Sequence, residues 1–400
     1  MEQLPPSVLS GPTTMAPLER LMGYVRQQAY EGWDLYDGLN SRLFKPMPLY
    51  RSSWFRLGLI QLCKRSPVNL RSLLMVPKGF NPKGGALFLM GYLNLFRHTH
   101  KEVYSNEAYL LFQRLKRTVI PREHGVAWGY NFDWQARAFY VPLGTPNLVT
   151  SVYVGRTLLE YYRVFSDDTA LEMALAVSVF ILREMIKFES ADSLCFTYIP
   201  GREAEVHNAN LLGAAYLAET LPYQPVHWIP ELKTKILKAV RFSVADIALD
   251  GSWPYGTMPF HRWVDNFHTA FNLECLLRIS DILDTDEFRP VLGLASKYYL
   301  RQLFTAEGLP KYYHDRLYPI DVHVIAEAIV LLNLFREHCL IPDADRMVTI
   351  ERALRDLLSR FQDTTEGYFY HQQTEKSWNR IPYMRWGQAW MFYALSTCLR

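Results

Sequence analysis

The sequence predicts an all-α fold, an (α/α)6 toroid of six helical hairpins with an irregular N-terminal segment. Three observations predict it. Helical periodicity runs from about residue 84 to the end, with almost no strand alternation. One kind of helix, apolar nearly all round and rich in small residues, recurs about every 60 residues. Between its copies lie segments with a single charged face. Helices apolar on all sides are buried, whereas those with one charged face lie at the surface. Alternating the two at a fixed period describes an inner ring enclosed by an outer ring.

The inner helices read, in order, GGALFLMGYLNLF from Gly84, NLVTSVYVGRTLLEYY from Asn147 and HNANLLGAAYLAE from His207. Then come NFHTAFNLECLLRI from Asn266, DVHVIAEAIVLLNLF from Asp321 and MRWGQAWMFYALSTCL from Met384. Their outer partners are 104–117, 168–187, 230–248, 287–304 and 344–361; the sixth must come from 16–30 or 52–63. An open solenoid of the same hairpins is the alternative. Closure is preferred because six inner helices suffice for a ring and no polar capping repeat flanks them. Residues 84–400 are expected to form the toroid, and residues 1–83 to wrap around it and lend loops to one rim.

Composition narrows the function classes. With 43 basic and 40 acidic residues the net charge is +3, too balanced for a nucleic-acid binder. Aromatic residues make up 14% of the chain, more than a core alone requires. Five cysteines, Cys63, Cys195, Cys275, Cys339 and Cys398, stand far apart with no CxxC pair, which suggests reduced thiols in the cytoplasm. The start, MEQLPPSVLSGPTT, lacks the basic and apolar regions of a signal peptide. The longest apolar runs, 175–182 and 328–334, fall well short of the ~20 residues that span a bilayer.

If the inner helices run parallel, their N-termini share one rim, and there the polar residues collect. WGYNFDWQAR supplies Trp128, Tyr130, Asp133, Trp134 and Arg137 before the second inner helix. Arg202, His207, Asn208 and Asn210 open the third; Trp253, Tyr255, Asp265, Asn266 and His268 surround the start of the fourth. Asp321 and His323 open the fifth, and Arg385 and Trp386 the sixth. Asp and Asn before a helix are ordinary N-caps. Capping needs one residue per helix, however, and burying further hydrogen-bonding groups is costly unless they serve one another or a ligand. His207, His268 and His323 could converge on a metal, yet no HExxH or CxxC spacing supports one. No metal and no cofactor is expected.

HNANLLGAAYLAE, DGSWPYG with WVDNFHTAF, and RWGQAWM together resemble the six-hairpin α/α-toroid carbohydrate-active proteins, of the type encoded with bacterial polysaccharide biosynthesis genes. A looser similarity extends to the helical domain of glucuronyl C5-epimerases. The resemblance covers residues 84–400 and implies a carbohydrate-active enzyme whose substrate is a polysaccharide or oligosaccharide, uronate-containing by the epimerase likeness. DGSWPYG also resembles the Q-x-x-x-G-x-W repeat of squalene-type cyclases, but Ile247 stands at the glutamine position.

Two acid–base chemistries fit these residues. Hydrolysis needs a carboxylate pair, for which Asp133, Asp265 and Asp321 are the candidates. Lyase or epimerase chemistry needs a base, here His207, His268, His323 or Tyr255, and a group that meets the sugar carboxylate. Arg385 with Asn208, Asn210 or Asn266 would supply that group, while Trp128, Tyr130, Trp134, Trp253 and Trp386 would stack on sugar faces. A non-catalytic glycan-binding or assembly factor and a terpenoid-cyclase-like toroid are the alternatives. The sequence does not indicate an oligomeric state.

Overall fold

The structure, a computed structural model, describes residues 7–9, 11–135, 140–201 and 205–399. Arg137 and Arg202 lie outside these residues. The described helices are α1 (Pro12–Gln27), α2 (Ser53–Arg65), α3 (Pro82–Thr99), α4 (Glu102–Arg117), α5 (Leu148–Phe165) and α6 (Asp168–Glu184). They continue with α7 (His207–Thr220), α8 (Ile229–Val244), α9 (Asn266–Leu283), α10 (Arg289–Gln302), α11 (Val322–Glu337) and α12 (Ala344–Phe361). The last, α13 (Trp390–Thr397), continues a π-helical turn, Met384–Ala389. No helix among the described residues is long and apolar enough to cross a membrane.

Packing closes the ring. Helix α3 lies against α5, α5 against α7, α7 against α9, α9 against α11, α11 against α13, and α13 returns to α3. Helices α4, α6, α8, α10 and α12 cover α3, α5, α7, α9 and α11 respectively, and α1 covers α13. The sixth outer helix is therefore the first of the two N-terminal candidates. The second, α2, builds a separate small core of Leu39, Leu59, Ile60, Cys63, Leu74 and Val76.

Small residues make the inner ring tight. A Cβ at Gly155 of α5 would lie 2.4 Å from the Tyr216 hydroxyl of α7. That hydroxyl is committed, donating to the Ala174 carbonyl of α6 at 2.6 Å. At the α3–α13 seam Gly91 likewise faces the Phe392 ring. Large side chains at these positions would push adjacent helices apart.

Connections set where chemistry can occur. Inner helices pass to outer ones through short links, whereas the returns span 118–147, 185–206, 245–265, 303–321 and 362–383. These long returns crowd the rim that holds the inner N-termini. Parallel orientation is visible there: Gly84 abuts Arg385, the Trp386 indole donates to Asp321, and the Phe267 and His323 rings stack at 5.0 Å. The returns contain short hairpins such as Ile186–Glu189 with Leu194–Phe196, too brief to leave alternation in the sequence.

Candidate active site

Asn81, Asn147, Asp265 and Asp321 cap α3, α5, α9 and α11, each accepting a first-turn N–H through its side chain. A cap uses one oxygen and leaves the other. At Asp265, Oδ1 accepts the His268 backbone N–H at 2.9 Å. Its Oδ2 faces the His268 ring Nδ1 at 2.7 Å and accepts the Trp263 indole N–H at 3.0 Å. A carboxylate acceptor at Nδ1 places the proton of a neutral imidazole there, which leaves the lone pair on Nε2. Asp265 is 1% exposed at its side chain, whereas His268 is 20% exposed and within reach of a ligand.

Aromatic rings wall this dyad. Tyr255 stands 4.4 Å from the His268 ring and stacks on Trp263 at 4.7 Å. Phe267 stands 4.1 Å away on the other side. Burial first, and then the Asp265 charge, raise the Tyr255 phenol so that it remains a protonated donor at neutral pH.

Deeper along the axis, side chains from five inner helices meet. His323 of α11 lies between Phe267 of α9 and Trp390 of α13, with neither ring nitrogen hydrogen-bonded among the described residues. Burial, reinforced by Lys83 and Arg385, pushes its pKa well below the usual range and keeps it neutral. Lys83 of α3 points Nζ at the rings of Tyr153 (4.2 Å), Trp390 (5.0 Å) and Phe271 (5.6 Å). The Tyr153 hydroxyl and both Glu327 carboxyl oxygens nearby on α5 and α11 are buried without a partner among the described residues.

Arg385 is placed otherwise than expected. Its Nε and Nη2 donate to the two carboxylate oxygens of Asp34 at 2.6 and 2.7 Å. The planar fork that was to meet a substrate carboxylate is thus filled by one from the N-terminal segment. Asp34 is itself fixed, its backbone N–H donating to Asp37 and its carbonyl accepting from Arg71. The guanidinium lies 5.1 Å from the Tyr130 ring, whose hydroxyl bonds that of Tyr198 at 2.6 Å.

Several other candidates are engaged elsewhere. His207 faces the outer layer, with Nε2 2.8 Å from Asp246 beyond α8. Asn210 donates to the Ala239 carbonyl and Ser243 hydroxyl of α8, and Asn266 bonds Leu303 and Tyr299 of the α10 layer. Both asparagines tie inner helices to outer ones. Trp128 is fully buried, its indole donating to the Leu115 carbonyl, and Trp253 is 1% exposed within the core. Neither presents a face to a sugar. Asp133 is held by Lys45, Tyr50 and the Leu143 N–H. Burial would raise its pKa, but these bonds more than offset that and lower it. Trp134 packs on the small α2 core. Asn208 is not among the groups bound to α8, and its Oδ1 is buried without a partner among the described residues.

Asp321 remains at the rim, but both of its oxygens are used. Oδ1 accepts the His323 N–H and the Trp386 indole, and Oδ2 accepts Gln372 at 2.5 Å. Burial, only partly countered by these bonds, raises its pKa to about 6. The assembled cluster is therefore Tyr255, Asp265, His268, Asp321, His323 and Trp386, bordered by Tyr130 and Arg385. His207, His268 and His323 do not converge, since the first turns outward.

Sequence reasoning missed Asp34, Lys83, Phe271 and Trp390. Lys83 had a signal: a cation in the first turn of an all-apolar helix opposes the helix dipole. Asp34 had none, because nothing periodic connects the N-terminal segment to a helix 351 positions later.

No protein-family profile and no curated protein sequence matches the chain; the likeness is to solved structures. One is cellobiose 2-epimerase from Bacillus thermoamylovorans, at TM-score 0.61 and 14% identity over 80% of this chain and 87% of that one. A polysaccharide lyase superimposes at TM-score 0.59 and 10% identity over 97% and 96% of the two chains. An unsaturated glucuronyl hydrolase specific for heparin does so at TM-score 0.58 and 10% identity over 96% and 95%. At these identities the chain shares the fold of carbohydrate-acting toroids.

Proposed function

We propose that this protein is a carbohydrate-active enzyme that removes a proton from a sugar carbon, in the manner of an epimerase, isomerase or lyase. The observation that carries the reading is the Asp265–His268 dyad: a buried carboxylate fixes the tautomer and leaves Nε2 of a partly exposed ring as base. Tyr255 supplies a donor beside it, suited to the sugar oxygen on which charge develops. The fold likeness to an epimerase, a lyase and a glucuronyl hydrolase supports carbohydrate as the substrate class.

Hydrolysis fits less well, because Asp133, Asp265 and Asp321 are each engaged by other groups. A polyene cavity would be lined almost wholly by hydrocarbon, whereas this axis carries Lys83, His323 and Glu327. The Asp34–Arg385 pair further supports a sugar unit that is uncharged where it faces Arg385. Five unpaired cysteines support a reducing, cytoplasmic setting.

The test is a glycan panel of neutral and acidic mono-, di- and oligosaccharides with three readouts: solvent deuterium incorporation, unsaturated-product absorbance and new reducing ends. Deuterium uptake or unsaturation is the expected result. New reducing ends without either would establish a hydrolase instead.

A further inference from the structure

Among the described residues Lys83 is the one buried ammonium-bearing side chain on the barrel axis, and the dyad does not use it. Resting on the carbohydrate reading above, we infer that Lys83 is a covalent attachment point for a reducing sugar, its amine condensing with the open-chain aldehyde to an imine. Two features of the axis support this. Nζ is enclosed by the faces of Tyr153, Phe271 and Trp390 and makes no hydrogen bond or ion pair among the described residues. The surrounding polar atoms, Tyr153 Oη, both nitrogens of His323 and both oxygens of Glu327, are buried and unpartnered among the described residues, so their hydrogen-bonding capacity is unspent.

The electrostatics agree with the geometry. Burial, then the positive charge of Arg385, brings the Lys83 pKa down to about 7, so much of the amine is neutral at physiological pH. Desolvation beside a second cation is a known way to make a lysine nucleophilic. Glu327 is affected in the opposite direction: burial, then the proximity of Glu274, raises its pKa well above the usual range and keeps it a protonated acid.

The step balances within the site. The Nζ lone pair attacks the aldehyde carbon, and the carbonyl oxygen takes up the proton lost from nitrogen, giving a carbinolamine. Its hydroxyl leaves as water, protonated by the Glu327 carboxyl. The products are a protonated imine, a Glu327 carboxylate and one water molecule. The iminium withdraws electrons from the neighbouring carbon, which makes that carbon's proton easier for a base to remove.

Reductive trapping tests the assignment. The protein is incubated at pH 7 with glycolaldehyde, D-glucose or cellobiose and sodium cyanoborohydride, and the adduct is located by peptide mass mapping. Lys83 should be modified at least 10-fold faster than the exposed Lys101 and Lys297. Its rate should level off above pH 7, while theirs continue to rise towards pH 10. Lys83→Arg, checked for folding by circular dichroism, should lose this adduct alone, and His268→Gln should retain it. Labelling of exposed lysines with Lys83 untouched would overturn the imine. If deuterium uptake into a sugar persists in that case, the proton-transfer reading survives; if uptake is also absent, both fail.

Discussion

Replacing His268 by glutamine is expected to slow turnover of the carbohydrate substrate by about 10²- to 10⁴-fold, with KM changed far less. Glutamine fills similar space but offers no base at the Nε2 position. Asp265→Asn is the more discriminating change. An asparagine oxygen can still cap α9 at the His268 backbone N–H, and the Trp263 indole N–H that loses its acceptor is on a solvent-exposed side chain, so folding should be only modestly affected. Its amide NH2 would face Nδ1 and donate, moving the imidazole proton to Nε2 and removing the lone pair. A loss on the order of 10⁴-fold follows, as for a catalytic histidine held in the wrong tautomer. Steady-state kinetics with matched melting curves check both variants. Full activity in Asp265→Asn would mean that the carboxylate serves only as a cap.

The second large effect concerns the buried Asp34–Arg385 pair. Asp34→Ala strands a guanidinium whose side chain is 4% exposed, and should cost about 3–5 kcal/mol of unfolding free energy in urea titrations. Exchanging both partners for apolar residues, Asp34→Leu with Arg385→Met, should recover much of that loss. Binding should change as well. The unmodified protein is expected to bind D-glucuronate no more tightly than D-glucose, because Asp34 already holds the fork. Asp34→Ala should create a preference for the acid of about 10- to 100-fold, the worth of a charged hydrogen-bond pair. That preference should shrink as salt rises. Calorimetry on the two proteins measures it, and a strong preference for glucuronate in the unmodified protein would show that a substrate carboxylate is met elsewhere.

The ring was legible in the sequence because its signal is strong. An inner helix such as α7 is buried on all sides and uses Gly213 and four alanines, so its pattern cannot be mistaken for a surface helix. Outer helix α12, with one wet face, is equally plain. The first outer helix was ambiguous, since α1 and α2 are both short amphipathic segments and only packing shows that α1 covers α13.

The site was legible in its helix starts but not in its directions. His207 and Asn210 are three apart on α7 and share one face, and that face turns towards α8. On α9, Asn266 turns outward while His268, two positions on, reaches the rim. Helix rotation about its own axis decides which polar residue is structural and which is available, and a nearly all-apolar helix carries no moment to reveal that rotation. Trp128 and Trp253 were misread for a related reason: an indole beside a polar loop can serve the core or the pocket, and here the core takes both.

The central claim, that the His268–Asp265 dyad removes a carbon-bound proton from a sugar, is tested most directly by exchange with solvent. Reducing sugars and acidic oligosaccharides are incubated with the protein in D2O, and loss of the carbon-bound proton signal is followed by NMR. The unmodified protein should catalyse site-specific deuterium incorporation in at least one sugar, and His268→Gln should not. Incorporation at an unchanged rate in a folded His268→Gln protein would contradict the account.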